Sequence, residues 1–143
     1  MSKALTRRYF MNNILLLTHF GWGMSLLKSV ESIIGKTDFV TEIPLEAEMT
    51  LGEYQDLIID YLEGKEDNTL IMVDMFGGTP STVSALIARD YPVEVLCGLN
   101  SPMLLSACSK ILFNGTVSIN TILEEAQNSI FDVSVKVGLK GDL

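Results

Sequence analysis

The sequence predicts an α/β fold: a doubly wound, mainly parallel sheet in strand order 2-1-3-4, with an antiparallel C-terminal edge strand. Three observations carry this. Short apolar runs at 14–17, 69–73 and 93–97 alternate with segments of helical period, the pattern of parallel strands joined by right-handed crossover helices. These runs are apolar but for Thr69 and Glu94, as strands are when helices cover both faces of the sheet. The tail differs: Val133, Val135 and Val137 alternate with Asp132, Ser134 and Lys136, which reads as a strand with one wet face. Such a strand belongs at an edge, where it pairs within the sheet or with a second subunit.

The elements follow in order. The first strand, Ile-Leu-Leu-Leu over 14–17, runs into Thr18 and His19, the only histidine in the chain. From Ser25 the positions Leu26, Leu27, Val30, Ile33 and Ile34 recur at helical spacing, and Gly35 stands where a C-cap would. A short second strand covers 39–43, before Pro44. Thr50-Leu-Gly-Glu53 is a capping-box pattern; it opens a helix with Leu51, Tyr54, Leu57, Ile58, Tyr61 and Leu62 on one side, stopped at Gly64. The third strand, 69–73, ends in Asp74, and Met75-Phe76-Gly77-Gly78 is a turn. Thr79 as N-cap and Pro80 at the first helical position start a helix reaching about Arg89. The fourth strand, 93–97, is followed by Gly98-Leu99-Asn100, and Ser101-Pro102 repeats the cap-plus-proline start for a helix through Leu112. Asn114-Gly115 is a turn, and a last helix covers about 119–130.

With 143 residues and four prolines, the chain is one domain's worth, 48% hydrophobic and 20% charged, a composition that favours a packed core over disorder. Its formal net charge is −8, which repels phosphate backbones and excludes nucleic acid as a partner; a basic protein surface fits better. Cys97 and Cys108 sit in apolar contexts without metal-ligand spacing and read as buried free thiols in a reducing cytosol. The basic start is followed by an apolar run too short for a signal-peptide core, and no segment has the length of a transmembrane helix. The expected location is cytoplasmic. Residues 1–12 read as an N-terminal extension to a domain at 13–143, with Met11 an alternative start.

In the 2-1-3-4 order the first and third strands are neighbours whose helices leave on opposite faces, and ligands bind at the carboxyl ends of such strands. Topology therefore brings His19 and Asp74 together. If Asp74 accepts a hydrogen bond from one ring nitrogen, the other keeps a lone pair toward solvent, as a general base, metal ligand or nucleophile. A single histidine without an acid-rich neighbourhood makes a poor metal site. A general base needs a nucleophile beside it; Thr18 and Thr79 are the candidates, and no serine or cysteine elbow is present. The Gly77-Gly78 turn and the first-turn N–H groups of the following helix, at Ser81 and Thr82, suit a phosphoryl group. No P-loop lysine accompanies them, so a nucleotide is not expected. A phosphoryl group with nothing to hold a nucleoside, beside an oriented imidazole, suggests transient phosphorylation of the histidine itself. Each feature alone is also what an ordinary fold uses: a structural histidine, a turn aspartate, a helix entry, and aromatic packing by Phe20, Trp22 and Phe76. The conjunction carries the reading.

Thr18-His19, Asp74-Met-Phe-Gly-Gly-Thr-Pro80 and Gly98-Leu-Asn-Ser-Pro-Met-Leu-Leu105 resemble the three signature segments of the mannose-type enzyme IIA of the bacterial sugar phosphotransferase system, a resemblance covering about residues 13–137. It implies a phosphocarrier with a four-stranded parallel sheet and a C-terminal strand exchanged in a homodimer. His19 would be phosphorylated on Nε2, accepting from HPr and donating to an enzyme IIB component, with Asp74 orienting its ring through Nδ1–H. Thr18, Phe76, Gly77, Gly78, Thr79, Pro80 and Ser81 would line the phosphoryl pocket, with Asn100 and Pro102 nearby. The resemblance implies neither metal nor nucleotide cofactor, and contact with the membrane only through the transporter components. Phe20 departs from the family, which often has a small residue after the histidine; this bears on pocket shape and partner fit. The alternatives are the related phosphoryl-donor subunit of dihydroxyacetone kinase and a non-catalytic anion-binding regulatory module. The transported sugar is not legible in this chain.

Overall fold

The computed structural model describes residues 8–141. Its elements are β1 (Arg8–His19), α1 (Gly23–Ile34), β2 (Val40–Leu45), α2 (Leu51–Glu63), β3 (Asn68–Val73), α3 (Thr79–Ile87), β4 (Val93–Cys97), α4 (Ser101–Asn114), β5 (Thr116–Ser118), α5 (Ile119–Gln127) and α6 (Val133–Lys136). The main sheet has the expected order, β2-β1-β3-β4, with all three of these pairings parallel.

The central strands show why runs apolar on both sides are required. Ile14 and Leu16 of β1, with Leu70 and Met72 of β3, face a core completed by Leu27 and Val30 of α1 and Met103, Leu104 and Ala107 of α4. Leu15 and Leu17, with Ile71 and Val73, face the opposite core, against Tyr54 and Ile58 of α2 and Val83 and Ile87 of α3. Successive residues point to opposite faces, so a strand covered on both sides must be apolar at every position. Each fully buried aliphatic side chain contributes about 1.5–3 kcal/mol relative to exposure. β2 and β4 are the outer strands of this order and are only partly buried. The capping box at Thr50 and Glu53 forms with both bonds present, and Tyr54 donates its hydroxyl hydrogen bond to the Ile43 carbonyl at 2.7 Å, tying α2 to β2.

The tail corrects the expected C-terminal edge strand. Val133–Lys136 is one helical turn, with the Asp132 carboxylate accepting from the Val135 N–H. A period of two over five residues does not decide between strand and turn, and here a local cap competes with sheet pairing. The antiparallel strand is instead β5, which pairs Thr116–Ser118 with Arg8–Phe10. Strand β1 thus reaches back into the region read as an extension, residues 1–12; positions 1–7 of it lie outside the described residues. Two helix starts also shift by one residue: the N-caps are Gly78 and Asn100 rather than Thr79 and Ser101. The thiols divide as well. Both are free, Cys108 is buried and pushed up to about 12 by desolvation, and Cys97, last in an outer strand, is exposed. Among the described residues no helix is long and apolar enough to cross a membrane.

Leu16 is fully buried, and its Cδ1 lies 3.1 Å from where a Cβ on Gly23 would stand, so it supports the start of α1. Leu16→Ala is expected to cost about 2–5 kcal/mol in urea denaturation; a loss below about 1 kcal/mol would contradict this packing.

Candidate functional site: a histidine–aspartate pair at the carboxyl end of the sheet

His19 ends β1, and Asp74 follows the last residue of β3, its neighbour in the sheet. The apolar runs place both at the same rim of the sheet. Asp74 Oδ2 lies 2.8 Å from His19 Nδ1 and also accepts the His19 backbone N–H at 2.7 Å. The Trp22 indole N–H reaches the same oxygen at 3.4 Å, while Oδ1 accepts the Met75 backbone N–H at 2.9 Å. The Asp74 side chain is 3% exposed and that of His19 29%. Burial by itself would raise the Asp74 carboxyl, but the backbone and ring N–H groups of His19, the imidazole's charge and the Trp22 indole together hold it below its ordinary value. A carboxylate accepts only, so the imidazole is a donor at Nδ1, and in its neutral form it keeps its lone pair on Nε2.

That second nitrogen faces the Gly-Gly turn. A Cβ on Gly78 would stand 2.8 Å from His19 Cε1 and 3.0 Å from Nε2, so only glycine lets the backbone lie against this edge of the ring. Gly77 has φ 92°, in the left-handed region that glycine tolerates. Ser81 pins the turn: its hydroxyl accepts the Gly77 N–H at 2.9 Å and donates to the Gly78 carbonyl at 3.0 Å. With the cap at Gly78, the Thr82 N–H already closes the first helical bond, to Gly78 O at 3.1 Å. The first-turn donors are therefore those of Gly78, Thr79 and Ser81, not Ser81 and Thr82 as expected. Pro80 is buried in the helix start, Thr79 is half-buried and Phe76 is 89% exposed at the rim.

Two other expectations change. Thr18 is fully buried, one residue before His19 on the strand and so on the opposite face, with its hydroxyl donating to Glu42 Oε2 on β2. The structure takes it out of the pocket. The Asn100 side chain is committed to α4, where it accepts the Met103 N–H at 2.9 Å. Sequence reasoning missed Glu42 altogether and left Trp22 as packing. The signal for Glu42 was an acid inside an otherwise apolar run, in a strand that borders the histidine strand. Phe20, at φ 62°, is the sole non-glycine left-handed residue among those described, a conformation costing about 1–2 kcal/mol. It is followed by Gly21 at φ 85°. Among the described residues no group of three or more His, Cys, Asp and Glu is placed to hold a metal ion.

Fold and geometry together define an open α/β protein that brings a histidine and an aspartate into contact where its two central strands end. The family model for EIIA-man, the PTS system fructose IIA component, matches residues 13–127, and the chain belongs to that family. It is 33% identical over 94 residues to the sorbose-specific EIIA component of the PTS of Lacticaseibacillus casei, covering 64% of this chain and 68% of that protein. It is 32% identical over 104 residues to the fructose-specific EIIA component of Bacillus subtilis (strain 168), covering 69% and 70%. Among solved structures, the PTS IIA protein associated with the fucose utilization operon of Streptococcus pneumoniae shares the fold with a TM-score of 0.77 at 22% identity, over 92% of this chain and 98% of that one.

Because the folded-state pKa of Asp74 is depressed, its contribution to stability is fully present above the ordinary carboxylate value of about 3.9. It is lost as pH falls through the lower folded value. The stability difference between the wild type and Asp74→Asn should thus shrink as pH falls below about pH 4. Denaturation at a series of pH values checks this; a difference that grows as pH falls below about pH 4 contradicts it.

Proposed function

We propose that this protein is a phosphocarrier of a sugar phosphotransferase system, accepting a phosphoryl group on His19 Nε2 from phospho-HPr and passing it to an enzyme IIB component. The observation that carries this is the 2.8 Å contact of Nδ1 with the Asp74 carboxylate: it leaves Nε2 unprotonated at the open side of the site, beside the glycine turn. The Nε2 lone pair forms a bond to phosphorus as the donor's phosphorus–nitrogen bond breaks, in line and through a loose transition state. No proton need leave Nε2. The phosphorylated ring, still protonated at Nδ1, gains positive character that Asp74 stabilises. The return step to enzyme IIB is the reverse displacement, with a partner nitrogen as nucleophile.

The rim suits a protein donor. Phe20, Trp22, Met75 and Phe76 are exposed around the site, and apolar surface gathered beside a reactive group marks docking. The net charge of −8 favours a basic partner surface. This reading places the protein in the cytoplasm, reaching the membrane only through the transporter. It also assigns a second copy of the chain to the tail, where Ile130, Phe131, Val133, Val137 and Leu139 are exposed.

Incubation with phosphoenolpyruvate, enzyme I and HPr should give an acid-labile mass gain at His19, absent in His19→Ala. No gain in the wild type would leave an anion-binding regulatory module. Asp74→Asn should stay folded and accept phosphate about 10²-fold more slowly; wild-type kinetics would remove the orienting role. Light scattering should report a dimer, and a monomer at micromolar concentration contradicts the assignment of the tail.

A further inference from the structure

Helix α1 begins immediately after the turn that carries His19, yet it has no cap of its own. Its N-cap residue, Trp22, makes no side-chain cap bond, and its first turn contains no acid. The acceptor comes from the adjacent strand. Glu42, on β2, accepts the Gly23 N–H on Oε2 at 2.7 Å and the Met24 N–H on Oε1 at 3.1 Å. The buried Thr18 hydroxyl donates to the same Oε2. A single carboxylate therefore grips the residue before His19 and the first two residues of the following helix. Such a position favours negative charge twice over, through the orphan N–H groups and the helix dipole.

Between those grips lies the strained turn. Phe20 and Gly21 are both left-handed, and the Phe20 N–H is held by the Leu45 carbonyl at 3.1 Å. A conformation of this kind persists only where its surroundings over-determine it. The far end of the turn is Trp22, whose indole reaches the carboxylate that holds the imidazole. Gly23 records how tightly Glu42 is seated: a Cβ there would stand 2.5 Å from Glu42 Oε2, so the carboxylate occupies the space a side chain would need.

We propose that Glu42 is a positioning residue for phosphoryl transfer at His19, acting through the turn at 20–22. This rests on the phosphocarrier reading above. Glu42 does not touch the reacting atoms; it fixes the backbone on both sides of the histidine turn, so that the ring keeps Nδ1 on Asp74 and Nε2 against Gly78. Without it, Thr18 and the first N–H groups of α1 lose their acceptor together, and the turn relaxes away from its left-handed geometry.

The test measures transfer from phospho-HPr to the full-length protein, with the 15N spectrum of the imidazole as second readout. Glu42→Gln, which keeps the shape but can offer only one accepting oxygen, should lower kcat about 10-fold, and Glu42→Ala about 10²-fold, each with KM for phospho-HPr unchanged. The imidazole signal should move from a single Nδ1–H tautomer toward a mixture. Gly23→Ala should mimic Glu42→Ala by displacing the carboxylate, and the double variant should be no slower than Glu42→Ala alone. If Glu42→Ala fails to fold, Glu42→Gln carries the test. Folded variants with wild-type kcat and an unchanged imidazole spectrum overturn the proposal, as does a loss confined to KM. Failure of the wild type to accept phosphate overturns the phosphocarrier reading instead.

Discussion

A single oxygen, Oδ2 of Asp74, accepts both the backbone N–H and the ring nitrogen Nδ1 of His19, and the arrangement of the site depends on it. The bond to the backbone fixes where β1 ends relative to β3. The bond to the ring fixes the tautomer and the direction of the free lone pair. Both are strongest with Asp74 ionised, in a place where its side chain is almost wholly covered. The cost of that burial is offset by directed N–H donors rather than by a neighbouring lysine or arginine. Hydrogen bonds to a charged acceptor are stronger than those between neutral groups, and three of them converge here on one atom.

The sheet makes this meeting unavoidable. Parallel strands in the order β2-β1-β3-β4 put the ends of β1 and β3 side by side, with α1 and α3 leaving over opposite faces, so the space beyond those ends is left to the loops. The two cores, one on each face, hold the strands in register from Ile14 to Leu17 and from Leu70 to Val73. A slip of one residue would exchange the two faces of β1 and carry His19 away from its partner. Buried aliphatic packing thus sets the position of a polar pair that it does not touch.

Much of this was legible because it is written in local chemistry. Apolar runs closed by His19 and Asp74, the Thr50–Glu53 capping box and the Gly35 and Gly64 helix ends are each decided within a few residues, and the strand order is the simplest one for such a sheet. What escaped detection is non-local or degenerate. Glu42 acts on residues 18, 23 and 24 across a strand pairing, and nothing in its own neighbourhood announces a cap for a helix that precedes it. Thr18 was read with His19 because the two are adjacent in sequence, whereas the pleat sends them to opposite faces. The valines at 133, 135 and 137 fit a strand as well as a turn, since three alternating residues do not fix a period. Thr79 and Ser101 are good cap residues, but Gly78 and Asn100 stand one position earlier and take that place.

The central claim is about which ring nitrogen of His19 carries the proton, and the chain has only one histidine to observe. The 15N spectrum of that imidazole at neutral to mildly alkaline pH tests it most directly. The account predicts a protonated Nδ1 and an unprotonated Nε2 in the wild type. A ring protonated at Nε2 instead, with Nδ1 free, would contradict it.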